Sequence, residues 1–396
     1  MYKIQTLNKI ASVGLNLFPH DDYEIASSIT NPDAILVRSF DMHECEFSKT
    51  LKAVARAGAG TNNIPVAKLT EKGVVVFNTP GANANAVKEL VLLALLLSNR
   101  KALAAAEWLK TLSGKGDEIP ELAEKGKSQF VGPELKGKTL GVIGLGAIGA
   151  MVANAAVDLG MRVIGYDPFI SVKSAWHLNT NVLQAETLDS LLAKSDYVTI
   201  HMPQTDETKG FINADKIAEM KNGVRVINFA RGGLVNNIDM LSALESGKIS
   251  MFITDFASEE FINHPKIICF PHLGASTPEA EENCAIMAVE QIRAFLEKGI
   301  IENSVNFPRV ATDNPIPKNG MRLCIANRNV PGIVSKFTTI LGESKLNIAG
   351  MINQNRGDVA YNIIDIDNLI AGATLTKLVL IENVMLVRPI IGYKQA

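Results

Sequence analysis

An α/β protein built on a doubly wound parallel sheet is predicted by three observations. From residue 139 to about 280, short apolar runs alternate with amphipathic stretches, the pattern of strands joined by crossover helices. The first run turns through Gly144-Leu145-Gly146 into a helical stretch opening with Ala147, Ile148 and Gly149, which is Gly-x-Gly-x-x-Gly directly between a strand and a helix. The next run, 162–167, ends in an acid, Asp167. In that context Gly144 permits the tight turn, Gly146 lets a pyrophosphate approach the backbone, and Gly149 lets the helix pack on its strand. The helix N-terminus offers free N–H groups to phosphates. A carboxylate at Asp167 suits the ribose hydroxyls of NAD and repels the extra phosphate of NADP.

The 396 residues exceed one ordinary domain. Residues 1 to about 90 carry strand patterns at 3–7, 34–38, 53–55 and 74–77 with helical stretches between them, a second, smaller parallel unit. Arg38 and Ser39 follow one strand, where open α/β sheets bind ligands, although a solvated charge reads the same way. Ala59 and Gly60 lie in a glycine loop after another, able to serve as an anion nest or simply as a turn. Asn83 or Asn85 can cap a long helix ending near Arg100. Residues 101–137 read as an arm carrying Trp108 and Lys110, or as a solvated loop. Strands are expected at 139–144, 162–167, 197–202, 225–230, 251–256 and 266–270, and a second long helix over 278–298. The prolines of 303–320 read as a linker. From 321 onward a strand–helix–strand–strand order, followed by a further helix and strand, suggests a ferredoxin-like module.

Composition narrows the functional classes. A formal net charge of −2 gives no case for a nucleic-acid or membrane partner. Four scattered cysteines suggest reduced core thiols, and no spacing suits a metal. Lys3 and Lys9 interrupt the apolar pieces of the N-terminus, and the longest apolar run, 90–97, is far too short to span a bilayer. A cytoplasmic enzyme is expected.

The strand ends resemble those of the D-2-hydroxyacid dehydrogenase family with a C-terminal ACT domain. The carrying segments are Asp196-Tyr-Val-Thr-Ile-His201-Met-Pro203-Gln-Thr205 with Thr208, Asn228-Phe-Ala230-Arg231-Gly232, Asp255, Glu260, and Pro271-His272-Leu-Gly274-Ala-Ser-Thr277. The resemblance implies a Rossmann sheet over 91–279, inserted in a flavodoxin-like substrate domain over 1–90 and 280–302, with a linker at 303–320 and an ACT regulatory domain at 321–396. It implies Arg231, Glu260 and His272 as catalytic residues. Gly144, Gly146, Ala147, Ile148, Gly149, Asp167, His201, Pro203, Thr208, Ala230, Arg231, Asp255, His272 and Gly274 are implied to bind NAD. Arg38, Ser39, Ala59, Gly60, Asn83 and Lys110 are implied to meet substrate, with Lys110 on a dimer arm. Asn327, Asn329 and Asn347 are implied to meet an amino-acid effector, and the assembly to be a homodimer or homotetramer. The chain departs from the family at Asn236-Asn237, where Asp-Glu is usual. Phe40 stands where some members carry arginine, Asn327 where some carry histidine, and the segment from Glu260 to His272 is short.

The chemistry follows from these residue types. Histidine titrates near neutrality and suits the base that takes a hydroxyl proton, with Glu260 expected to orient it. Arginine grips a carboxylate bidentately and polarises a developing carbonyl. The implied reaction is NAD-dependent oxidation of D-3-phosphoglycerate to 3-phosphohydroxypyruvate, which opens L-serine synthesis. The alternatives are another small D-2-hydroxy acid, or a non-catalytic NAD sensor on the same fold.

Overall fold

The computed structural model describes residues 1–391; residues 392–396 of the expected regulatory module lie outside them. The chain divides into two compact units, Met1–Asn83 with Pro278–Ala396, and Ala84–Thr277. The divisions fall at 83/84 and 277/278, where 90/91 and 279/280 were expected, so each long helix belongs wholly to one unit.

In the first unit, β1 (Tyr2–Leu7), β2 (Tyr23–Ala26), β3 (Ala34–Val37), β4 (Ala53–Arg56) and β5 (Val75–Phe77) form a parallel sheet in the order β2-β1-β3-β4-β5. The short edge strand β2, with the mixed sequence YEIA, carries no apolar run and was not expected. The helix Pro278–Lys298 buries Ala285, Ala288, Val289, Ile292, Phe295 and Leu296 against this sheet. The stretch expected as a free linker begins inside the fold instead. Ser304 bridges Phe77 and Ile301 bridges Val310, while Phe307 and Val310 are buried. The Asn306 side chain accepts from Val76 N–H and donates to Thr70 Oγ1 and the Val74 carbonyl. Two apolar anchors and a satisfied amide outweigh the extended bias of the prolines here.

The second unit holds β6 (Thr139–Ile143), β7 (Arg162–Tyr166), β8 (Val182–Gln184), β9 (Tyr197–Ile200), β10 (Val224–Asn228), β11 (Ile249–Thr254) and β12 (Ile267–Cys269). They form one parallel sheet in the order β12-β11-β10-β9-β6-β7-β8. One apolar layer lies with the helices Ala84–Asn99 and Ala147–Asp158, the other with Leu188–Lys194 and Asn237–Glu245. The strand order reverses between β6 and β9, the switch point at which such sheets bind ligands. The arm is helical, with Ala102–Lys110 and Ile119–Gly126, and buries no residue of either helix.

In the first unit a further sheet follows: β13 (Met321–Arg328), β14 (Ile348–Arg356), β15 (Val359–Ile366) and β16 (Val384–Ile391). Its antiparallel order β14-β15-β13-β16 with two helices, Ile333–Glu343 and Gly372–Val379, is the expected ferredoxin-like arrangement. β15 is buried along its whole length. Leu323, Ile325, Ile364 and Ile366 pack with the module's own helices, while Cys324, Ala326, Tyr361 and Ile363 join Phe77, Phe295 and Phe307 in one core. Among the described residues no helix is long and apolar enough to cross a membrane.

Candidate active site

The three glycines after β6 do three different things. Gly144 sits at φ 88°, and a Cβ there would meet the His201 carbonyl at 2.5 Å. A Cβ on Gly149 would overlap the Gly144 carbonyl oxygen, whereas one on Gly146 would meet nothing within 4 Å. The turn, the close packing and the open approach for a phosphate are thus separate, and Ala147 and Ile148 open the helix whose N-terminus faces that approach. Asp167 follows β7, and its carboxylate accepts from the N–H groups of Leu145 (2.8 Å) and Phe169 (2.9 Å). It therefore also braces the glycine turn.

Across the switch point, His201 follows β9 and shares a 3.0 Å hydrogen bond between Nε2 and Thr199 Oγ1. Its Nδ1 is buried without a partner among the described residues, and burial lowers its pKa from 6.5 to about 3, so the ring is neutral. Thr208 Oγ1 donates to the Pro203 carbonyl at 2.9 Å and accepts from Thr205 N–H, which sets the turn after His201.

The ends of β10, β11 and β12, adjacent in the sheet, carry Arg231, Asp255 and His272. Buried Asn228 brackets the arginine loop. Its Nδ2 donates to the Arg231 carbonyl at 2.9 Å, and its Oδ1 accepts from Ala230 N–H at 3.1 Å. The Arg231 side chain is exposed, with Nη1 donating to the Ala230 carbonyl. Asp255 is 2% exposed; Oδ2 accepts from Gly274 N–H at 2.9 Å and Oδ1 has no partner among the described residues. Burial pushes its carboxyl up, against the opposing pull of the Gly274 N–H, His272 and Arg231. His272 is at φ 50°, its N–H donating to the carbonyls of Asp255 and Phe270.

The expected pairing of Glu260 with His272 does not form: among the described residues no hydrogen bond or ion pair joins them. Glu260 lies on the short helix Glu259–Ile262, fully exposed, and the Ser258 hydroxyl beside it holds its carboxyl below the usual range. The chain returns from that helix directly through β12. Asn236 caps the helix Asn237–Glu245, accepting from the N–H groups of Ile238 and Asp239. An asparagine caps as well as an aspartate, which accounts for that departure.

The other expected contacts, Asn83 apart, are already engaged. In the first unit Arg38 pairs with Glu281 at 2.6 Å, and Ser39 N–H donates to Asn8 Oδ1. The Ala59 carbonyl accepts from Asn78, and the Gly60 carbonyl from Arg56. Asn83 Oδ1 is buried without a partner. Lys110, in the second unit, pairs with Glu107 on its own helix. Asn327 is fully buried and bonded to Asn362, itself bonded to Asn353, so it is closed to an effector. Asn329 donates to the Gly357 carbonyl and Asn347 to Asp367. Among the described residues no group of three His, Cys, Asp or Glu is placed to hold a metal.

Residues 92–274 match the family model of the D-isomer specific 2-hydroxyacid dehydrogenase NAD-binding domain. That segment is therefore an NAD-binding domain of the D-isomer specific 2-hydroxyacid dehydrogenase type. It is 34% identical over 331 residues to D-3-phosphoglycerate dehydrogenase of Bacillus subtilis, covering 79% of this chain and 60% of the relative. With the protein of the same name from Methanocaldococcus jannaschii it shares 36% over 296 residues, 72% of this chain and 54% of the relative. The chain thus spans little more than half the length of these curated relatives. Among solved structures, NAD+-bound 3-phosphoglycerate dehydrogenase of Entamoeba histolytica matches with a TM-score of 0.61 at 26% identity, over 77% of this chain and 98% of that one. D-mandelate dehydrogenase of Rhodotorula graminis matches in fold, with a TM-score of 0.65 at 23% identity, over 78% and 99%.

The cofactor pocket fits NAD on this structure's own terms. An open approach at Gly146 lies beside a helix N-terminus, Asp167 stands at the next strand end, and His201 Nδ1 and Asp255 Oδ1 are buried acceptors or donors without partners.

Proposed function

We propose that the chain catalyses NAD-dependent oxidation of D-3-phosphoglycerate to 3-phosphohydroxypyruvate, the first step of L-serine biosynthesis. The observation that carries this reading is the set of Arg231, Asp255 and His272 on three neighbouring strand ends of an NAD-binding sheet. NAD, when bound, accepts hydride at its nicotinamide ring. His272 takes the hydroxyl proton as the carbon gives up hydride, a role worth about 10²–10⁴ in rate. Arg231 holds the substrate carboxylate and favours the developing carbonyl oxygen. Asp255, with Oδ1 buried and unpaired among the described residues, would help hold the nicotinamide end of the cofactor. Glu260 enters as a negative charge on the neighbouring helix, and Arg38, Ser39, Ala59, Gly60, Asn83 and Lys110 as substrate contacts.

The deciding experiment is NADH formation against a panel of D-2-hydroxy acids with and without phosphate. D-3-phosphoglycerate is expected to give the highest kcat/KM, and His272→Gln to lower kcat by about 100-fold or more with NADH affinity kept. The engagement of Arg38 by Glu281 favours a second reading, an unphosphorylated D-2-hydroxy acid, which the same panel separates. No NADH with any acid leaves an NAD-sensing regulator.

A homo-oligomer through the arm is supported by Leu103 and Leu109, 50% and 47% exposed on a helix with no buried residue. Light scattering tests it. A cytoplasmic location is supported by free thiols at Cys45, Cys269, Cys284 and Cys324. An amino-acid effector would need Asn347 released from Asp367, and calorimetry with L-serine tests that.

A further inference from the structure

We infer that Phe256 is the positioning residue for His272, a part the family pattern assigns to Glu260; the inference rests on the dehydrogenase reading above. The Phe256 and His272 rings lie 5.2 Å apart between centroids at 58°. Phe256 also stands close to Gly232, where an added Cβ would come within 3.1 Å of the Phe256 Cβ and 3.2 Å of its Cγ. The half-buried Phe256 therefore neighbours both the loop that presents Arg231 and the imidazole of His272. Its backbone is fixed as well, since Phe256 N–H donates to the buried Thr254 Oγ1 at 3.2 Å.

His272 needs such support. It carries a Cβ yet adopts φ 50°, a conformation that persists only where the surroundings over-determine it. Its backbone is tied to Asp255 and Phe270, but its imidazole makes no side-chain hydrogen bond among the described residues. The ring contact with Phe256 is then what restrains its orientation. Because Phe256 also stands beside Gly232, it sets the imidazole in register with the arginine loop.

The test replaces the ring and reads orientation apart from folding. Phe256→Leu is expected to lower kcat about tenfold, equivalent to about 1.4 kcal/mol in the barrier, and to move the acid limb of the pH–rate profile. NADH affinity and Tm should stay near wild type, and Phe256→Tyr should restore kcat and the profile. Phe256→Met serves as a second non-aromatic variant should Leu fail to fold. Wild-type kcat and pH profile in the non-aromatic variants overturn the inference, as does an equal loss in Leu, Met and Tyr. Absence of NADH formation by the wild type overturns the parent reading instead.

Discussion

Asp255 carries a conflict between stability and binding. Its carboxyl is buried with one oxygen unpaired, and its pKa is raised by that burial. A carboxyl whose folded pKa lies above its unfolded one keeps its proton longer in the native state, so stability falls as pH rises through that interval. At neutral pH the buried charge is a cost, and Asp255→Asn is expected to raise Tm while weakening NADH binding at least tenfold. A lowered Tm in a thermal scan at pH 7 contradicts this. His201 gives the opposite slope. Its pKa is depressed to about 3, so the unfolded chain binds a proton between 6.5 and 3 that the native protein refuses. Its contribution is present above 6.5 and lost as pH falls toward 3; urea titrations across that range should show a steeper loss for wild type than for His201→Gln. At this scale the sequence marks the residues whose chemistry is local. Gly144, Gly146 and Gly149 are legible because each serves its own backbone turn. The absent Glu260–His272 bond and the Phe256 contact are not, because an exposed carboxylate and a strand-end phenylalanine look the same whichever neighbours the fold brings.

Helix ends show the same limit one level up. The helix Asn237–Glu245 depends on Asn236, whose Oδ1 receives two N–H groups. Asn236→Ala is expected to cost about 1 kcal/mol in urea unfolding, and Asn236→Asp close to nothing. Equal destabilisation by both variants would show that the amide does more than cap. Long periodic elements were readable to within a residue or two, as with Pro278–Lys298 and Ala84–Asn99. The edge strands β2 and β8 were not, since a strand paired on one side and partly exposed carries neither an apolar run nor clean alternation. The prolines of 303–320 read as a linker for a related reason: the anchoring of Phe307 and Asn306 depends on residues more than two hundred positions away.

At the scale of the first unit, the ferredoxin-like sheet is a middle layer. Arg322, 1% exposed, pairs with Asp365 and donates to the carbonyls of Lys298 and Asn314. Arg388 donates to the carbonyls of Phe295 and Leu296, so two arginines of the module satisfy the last turn of the helix Pro278–Lys298. Removing one partner of a buried pair leaves an uncompensated charge. Asp365→Ala is expected to cost about 3–5 kcal/mol and to lower the unfolding midpoint of the β1–β5 sheet together with that of the module. Calorimetry that resolves a separate early transition for the module would contradict this coupling.

That shared core changes what a lineage can do with the tail. A regulatory domain held by a tether is disposable: a stop codon or a protease removes it and leaves a working enzyme behind. Here removal of residues 321–391 would strip the roof from Phe77, Phe295 and Phe307 and leave the end of a long helix uncapped. Loss of the module therefore opens the core under the β1–β5 sheet, so residues 321–391 can be retuned more readily than discarded.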